Sequence, residues 1–507
     1  MADSMTDSAN APNHAESPAD FAASVRRAVI WRSGTQILGQ LVAWFSTFFV
    51  IRILHPEDYG LAAMTGVILV LLNMINGYGL ATGFVQKAEV TAREHRQLLG
   101  LLIAINGPLL LIQALVAAPL AAHFFAEPRV ADLLVAQSFY FLAGPPIAYG
   151  QAVLSRAMDF RAQATINLAA ATAGALTAIA GALAGLGVWT LILAPGAIYG
   201  TRAIGMVVTV GLPRPSFDFR GAGALLRFGG FFAASQIFWF FQSQADVTIA
   251  GRLFDAHTLG LYATALMLTQ IFTAKIVPPI NEVAFSAYAR LDDPRVAAAA
   301  FMKAVRLVML AALPFYAGLA VVAGPLVGAV LGPQWLECVP LVRILALAMP
   351  WLTLNVLFSP ACDARGRADL TARNGLTGAI VMPAAFLLGA QWGVDGLAWA
   401  WVVAYPAYTA ASAARALPVL GLGARQIAAA VWPPLAAALL MAALVLLADR
   451  GLPPMPQLTR LIVLAGVGAL GYGAALLLVA RAQAGEFLDA VILRRRPPTP
   501  EPEGLPA

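Results

Sequence analysis

Charge is what this chain lacks most. Only 11% of its 507 residues are Asp, Glu, Lys or Arg, while 60% are hydrophobic. A soluble domain carries about 25% charged and about 45–50% apolar residues. So little polar material cannot cover a folded body of this size in water, which excludes a soluble enzyme and leaves lipid as the solvent. Cysteine is nearly absent too. Cys338 and Cys362 are the only two, so there is no disulfide framework and both read as small apolar packing residues. The five histidines, His14, His55, His95, His123 and His257, are scattered. No zinc spacing, phosphate-cradling glycine loop or Ser-His-Asp arrangement occurs. The expectation is therefore no catalytic residue, no metal, no cofactor and no nucleic-acid partner. The start, "MADSMTDSANAPNHAESPAD", is polar and mildly acidic, which is not the basic-then-apolar order of a secretory signal. Residues 1–25 and the Pro- and Arg-rich 483–507 read as disordered cytoplasmic tails.

What is abundant is long apolar sequence. A spanning helix needs about 20 mostly apolar residues because its backbone must satisfy itself without water. Fourteen segments qualify, from 28–51 through 460–480, and the connections between them are too short to hold a soluble domain. Mean hydropathy is correspondingly high, at +0.77. The basic residues check the count independently. One set of alternate connections, with the tails, holds 23 Lys and Arg, among them Lys87, Arg156, Arg220, Arg290, Arg365 and Arg425. The opposite set holds five: Arg52, Arg129, Arg252, Arg450 and Arg460. A miscounted span would scramble that alternation downstream of the error. An excess of Lys and Arg in short loops marks the cytoplasmic side, so both termini are expected there.

A weak repeat runs at an offset of 200. "RILHPEDYGLAA" (52–63) is echoed by "RLFDAHTLGLYA" (252–263), and "MDFRAQATIN" (158–167) by "ARGRADLTARN" (364–374). The first pair follows the opening span of each six-span unit. Six is even, so the units share one orientation and form parallel repeats about an axis along the membrane normal, an architecture of two-lobed transporters. The expected division is an N-lobe at 26–211, a C-lobe at 212–420 and two further spans at 421–482. HPEDY, which in isolation suggests a metal or acid/base site, falls in a corner on the non-cytoplasmic face. There Pro56 suits the turn, and Glu57 and Asp58 suit a helix N-terminus.

"IRILHPEDYGLAAM", "GYGLATGFVQKAEVT", "AYARLDDPRVAAAAFMKAVRLV", "VLGPQWLECVPLVRILALA" and "CDARGRADLTARN" resemble the polysaccharide transport family. This is the Wzx-type lipid-linked oligosaccharide flippase group of the MATE-like multidrug/oligosaccharidyl-lipid/polysaccharide superfamily, on its colanic-acid-type branch. The resemblance runs in register from about Arg26 to Leu420. It implies an all-α inner-membrane protein of about 14 transmembrane helices, two six-helix lobes in a V plus two C-terminal helices. It also implies a cargo of undecaprenyl-diphosphate-linked oligosaccharide for surface polysaccharide, with membrane lipids and polymerase or export machinery as partners.

An anionic head can cross hydrocarbon only through a wet, preferably cationic interior. Polar residues that share helical faces inside spans are therefore the candidates. The first span carries Arg32, Gln36 and Gln40; the second, Asn73 and Asn76; the seventh, Gln236, Ser243 and Asp246; the eighth, Lys275 and Glu282; the tenth, Arg343 and Asn355. Lys275, Arg32 and Arg343, in that order, are the expected diphosphate contacts. Lys275 precedes the broken "KIVPP", and the resemblance also puts a basic residue before the Pro there. Gln36, Gln40, Asn73, Asn76, Gln236, Ser243 and Asn355 are the expected polar lining, and Asp246 and Glu282 the carboxylates for coupling to an ion. Bland alternatives stand beside these: snorkelling for Arg32, a structural pair with Lys275 or Arg252 for Asp246, and interhelix glue for Asn106 and Asn167. Two rival classes also remain, an ion-coupled multidrug exporter and a polyprenyl-phosphate-dependent glycosyltransferase or polymerase. The second lacks the external domain it would need.

Overall fold

The computed structural model describes the backbone of residues 18–479 except 88, 221–222, 289 and 292. It describes their side chains except those of 18–33, 36, 224–238, 283 and 479. The tails beyond these limits, and the side chains of Arg32, Gln36 and Gln236, lie outside the described residues. Within them every regular element is a helix, as backbone that must satisfy itself in lipid requires.

The fourteen expected spans are all present as helices or broken helices. The first is α1 (Pro18–Ile51) and the second is α2 (Pro56–Asn73) plus α3 (Tyr78–Gln86). The third is α4 (Ala92–Ile112) continued by α5 (Ala118–Phe125), and the fourth is α6 (Arg129–Ser138) plus α7 (Tyr140–Arg156). The fifth and sixth are α8 (Phe160–Leu183) and α9 (Val188–Val210). The seventh is α10 (Gly223–Leu253), and the eighth is α11 (Ala256–Lys275) plus α12 (Val277–Tyr288). The ninth is α13 (Pro294–Leu326). The tenth is α14 (Val339–Val356) plus α15 (Phe358–Ala364), and α16 (Ala368–Gly389) and α17 (Gly393–Val419) complete the second set of six. The appended pair is α18 (Ala424–Gly451) and α19 (Gln457–Val479), packed on each other and on α13. Short polar residues start many of these helices. Asp255 accepts the Thr258 amide at 2.9 Å, Asp159 the Ala162 amide at 3.0 Å, and Asp58 the His55 amide at 3.0 Å.

The repeat is visible in the breaks as well as in the order. α2 and α11 begin at Pro56 and Ala256, 200 residues apart. Each is interrupted, after Asn73 and after Lys275, and a second helix follows at Tyr78 and Val277. In the second span the break bends the helix by 40°. Gly77, at φ 86, makes the left-handed corner that a residue with a Cβ disfavours. The third and ninth spans each carry a π-helical turn, Gln113–Ala117 and Val327–Leu331.

The two halves interlock at the end of the molecule away from the Lys/Arg-rich connections. There α2 lies against α11, and the approach is symmetric. A Cβ on Gly60 would stand 1.8 Å from the Ala256 carbonyl oxygen, and one on Gly260 would stand 1.7 Å from that of Pro56. Only glycine permits backbones this close. The 3₁₀ turn Pro333–Cys338 clasps the same end. Trp335, fully buried, donates from Nε1 to the Ile51 carbonyl at 2.8 Å, and Gln334 donates to the Arg52 carbonyl at 2.9 Å. On the basic side the strand-like connection after α9 is strapped to α4: the Ser216 amide donates to the Arg96 carbonyl at 2.9 Å, and Arg93 pairs with Asp218 at 2.9 Å.

Candidate functional site

A polar space lies inside the first six spans, where α1 packs along α8 while α2 turns away to α11. A cavity of about 640 Å³ opens between α1, α7, α8 and α9, lined by Thr35, Gln40, Ser46, Thr47, Gln151, Gln163, Asn167, Thr190 and Arg202 among smaller apolar residues. A second cavity, of about 370 Å³, reaches from α2, α3 and α4 and is lined by Asn73, Asn76, Tyr78, Asn106, Tyr140 and Tyr199. The two meet at Gln151, Gln163, Asn167 and Arg202, which line both.

Some of these groups are occupied by the fold. Asn76 accepts the Tyr78 amide at 3.0 Å, and its own Nδ2 reaches Asn73 Oδ1 at 3.1 Å. Asn106 donates to the Asn76 and Leu102 carbonyls, both at 2.8 Å. Asn73, Asn76 and Asn106 thus supply hydrogen bonds where the break in the second span leaves backbone unpaired. Asn106 is glue in that sense, yet Asn106 and Asn167 both face a cavity as well. Gln163 donates to the Ser155 hydroxyl at 2.9 Å and the Gln151 carbonyl at 3.3 Å. Arg202 is different. It is half-buried, and its Nε has no hydrogen-bond partner among the described residues. Among the described residues it is the only charged side chain lining either cavity.

The second set of six has a buried polar cluster. Asp246 on α10 is fully buried. Its Oδ2 accepts the Tyr262 hydroxyl at 2.8 Å, and Trp401 donates to that same Tyr262 oxygen at 2.8 Å. Asp246 Oδ1 is unpartnered among the described residues, as is the hydroxyl of Ser243 one turn earlier. The structural partner of Asp246 is therefore Tyr262, not Lys275 or Arg252.

Lys275 ends α11 at the break. It is exposed, with no hydrogen-bond or ion-pair partner among the described residues. Thr273, two residues earlier, bonds to Thr353 at 2.8 Å and Tyr316 at 2.7 Å. That contact sets Lys275 level with Asn355, which is half-buried with an unpartnered Nδ2. Asn281 then donates to the Val356 carbonyl at 3.3 Å, and Glu282 beside it is exposed. Lys275, Glu282 and Asn355 thus lie on helices that pack together near one break. Arg343 is not with them. It lies ten residues before Thr353 on α14, which the 1.5 Å rise per residue puts about 18 Å from the level of Lys275. Among the described residues no three His, Cys, Asp or Glu side chains gather as metal ligands.

Sequence reasoning missed Arg202, Gln151, Gln163 and Tyr199. The signal for Arg202 was there in the totals. The chain has 32 Lys and Arg; the connections and tails account for all but four, of which Arg32, Lys275 and Arg343 were recognised.

Two six-span sets, helix breaks at equivalent positions and a polar interior define a polytopic membrane protein of transporter architecture. A family model described as "Polysaccharide biosynthesis protein" matches residues 49–340, and the chain belongs to that family. It is 27% identical over 481 residues to the succinoglycan biosynthesis transport protein ExoT of Rhizobium meliloti, covering 89% of this chain and 92% of that protein. It is 24% identical over 401 residues to the lipopolysaccharide biosynthesis protein WzxC of Escherichia coli, covering 76% and 79%. Among solved structures, the lipid II flippase MurJ in an inward closed conformation superposes with a TM-score of 0.73 at 12% identity, over 92% of this chain and 100% of that one. At that identity the likeness is one of fold.

Proposed function

We propose that this protein is a flippase that carries undecaprenyl-diphosphate-linked oligosaccharide units across the bacterial inner membrane for surface polysaccharide synthesis. It works by alternating access and is a transporter, not an enzyme. The observation that carries the reading is the symmetric closure of α2 on α11 at one end, combined with polar cavities in which no carboxylate appears among the described lining residues. The names of its relatives, a succinoglycan transport protein among them, support the class of cargo. The basic side is taken as cytoplasmic by the Lys/Arg rule. The head group enters from there while the polyprenyl tail stays in lipid, and the two lobes, 26–211 and 212–420, rock about their common axis. Lys275, with Asn355 beside it, meets the diphosphate on entry, and Arg32 and Arg343 serve other stages of the passage. Asp246 and Glu282 are the carboxylates available for coupling to an ion gradient. Polymerase or export machinery receives the product on the far side.

A multidrug exporter of cationic compounds fits less well, since a cavity whose one charge among the described residues is a guanidinium repels cations. The test is a strain deleted for the gene. Lipid-linked repeat units should accumulate on the inner leaflet and surface polysaccharide should disappear, both restored by the gene in trans. Normal surface polymer in the deletion strain sinks the reading.

A further inference from the structure

The cavities in the first six spans ask for a ligand that the lobe-rocking scheme does not by itself supply. Arg202 lies eight residues from the end of α9, or about 12 Å inside the helix end at 1.5 Å per residue. A guanidinium held there cannot deprotonate, and it is costly in hydrocarbon unless water, a partner or a ligand surrounds it. Among the described residues neither cavity is lined by an Asp or Glu. Its Nε–H is unpartnered among the described residues, although Gln151, Gln163 and Asn167 stand around the same junction. Beside it Tyr199 stacks on Tyr140, with ring centroids 5.1 Å apart. A free fork of N–H donors, flanked by amides and an aromatic wall, suits an oxyanion attached to a polar body. The volume of the larger cavity, about 640 Å³, falls within the range of small-molecule sites.

We infer that this cavity within the first six spans is an anion subsite in which Arg202 holds a diphosphate or carboxylate group of the cargo head. The inference rests on the flippase reading for its cargo but not for its test. The anion has two possible sources, the diphosphate linkage and an acidic sugar. Gln40, Thr47 and Asn167 line the larger cavity and offer hydrogen bonds to sugar hydroxyls beside either.

The test uses the full chain in nanodiscs and three probes: geranyl diphosphate, a glucuronate-containing trisaccharide and neutral maltotriose. At least one anionic probe should bind the wild type, and Arg202→Gln should weaken that binding tenfold or more. Arg202→Lys should retain part of it, and maltotriose binding should not depend on the charge. Whichever anionic probe shows the dependence names the source. Should Arg202→Gln fail to fold, Ala171→Phe fills the larger cavity from the α8 wall without touching a charge and should remove the same binding. Anionic binding that is absent from the wild type, or unchanged in both variants, overturns the subsite. Export intact in the deletion strain would end the flippase reading, yet an Arg202-dependent affinity would still stand.

Discussion

A lysine at the C-terminal end of a helix lies beside the partial negative charge of unpaired carbonyls, a position that suits a cation. Lys275 is such a residue: it ends α11, is exposed and has no acidic partner among the described residues. Nothing in the packing requires it, so its removal should affect transport more than stability. Lys275→Ala is expected to abolish polymer export in a complementation assay while the protein remains at wild-type membrane levels, and Lys275→Arg should restore part of it. Wild-type export by the alanine variant removes Lys275 from the substrate path. Carboxylates at the interlocked end give a different kind of prediction. Glu127 is held below its usual value by the Arg129 guanidinium, and Asp255 by the Thr258 hydroxyl and amide. A depressed folded value contributes stability above the unfolded one, and that contribution is lost as pH falls through the folded value. The unfolding midpoint should therefore hold from neutrality to about pH 5 and drop below about pH 4, with a shallower drop for Asp255→Asn. At this scale the sequence was legible in part. Lys275 announces itself by the Pro pair after it. Arg202 sits in a helix whose flanks give no such cue, and only the fold brings Gln151, Gln163 and Asn167 from other helices to face it.

Helices that pack through glycine close to backbone contact, and that closeness makes the contact all-or-none. α2 and α11 meet through Gly60 and Gly260, where a single methyl would overlap a carbonyl oxygen of the facing helix. Neither neighbour can give way, since the obstructing atom is backbone and not the end of a flexible side chain. Gly60→Ala and Gly260→Ala should each hold this end ajar and shift the resting population toward the state open there. The readout is thiol labelling of Ala256→Cys, which is buried at the contact; Cys338 and Cys362 are both buried and give low background. Labelling should rise several-fold in either glycine variant, and unchanged labelling would show that the interlock is not the gate. The offset-200 echo in the sequence already marks these two glycines as equivalent, because a packing constraint shared by both copies preserves the residue type. The break in the second span was less legible. Asn73 and Asn76 read as a polar stripe, whereas in the structure they mainly pair with each other and with the backbone freed at the bend. A side chain that repairs a broken helix and one that lines a cavity have the same composition and spacing, and only the fold separates them.

For the whole molecule the arrangement of contacts decides which motions are cheap. At the interlocked end the lobes are held by backbone contact, by Trp335 donating to Ile51 and by Gln334 donating to Arg52. Toward the basic side, α3 packs on α10, and α3 is joined to α2 only through the bend at Asn73–Gly77. Opening toward the basic side thus requires α3 to swing about that bend, with Gly77 as the flexible corner, while the interlock stays shut. Opening at the other end requires the interlock to part as a unit. Two gates of such different construction cannot be loosened by one local change, which is what alternating access needs if it is to avoid a continuous pore. A cross-link can separate these motions. Arg52→Cys with Gln334→Cys, joined by a short bismaleimide, ties the interlocked end and leaves the α3 bend free. Flipping of a lipid-linked substrate in proteoliposomes should stop, while binding of an anionic probe from the basic side should survive within a factor of about three. Continued flipping by the cross-linked protein would mean that the cargo passes without the interlock opening, and the alternating-access scheme would fall with it.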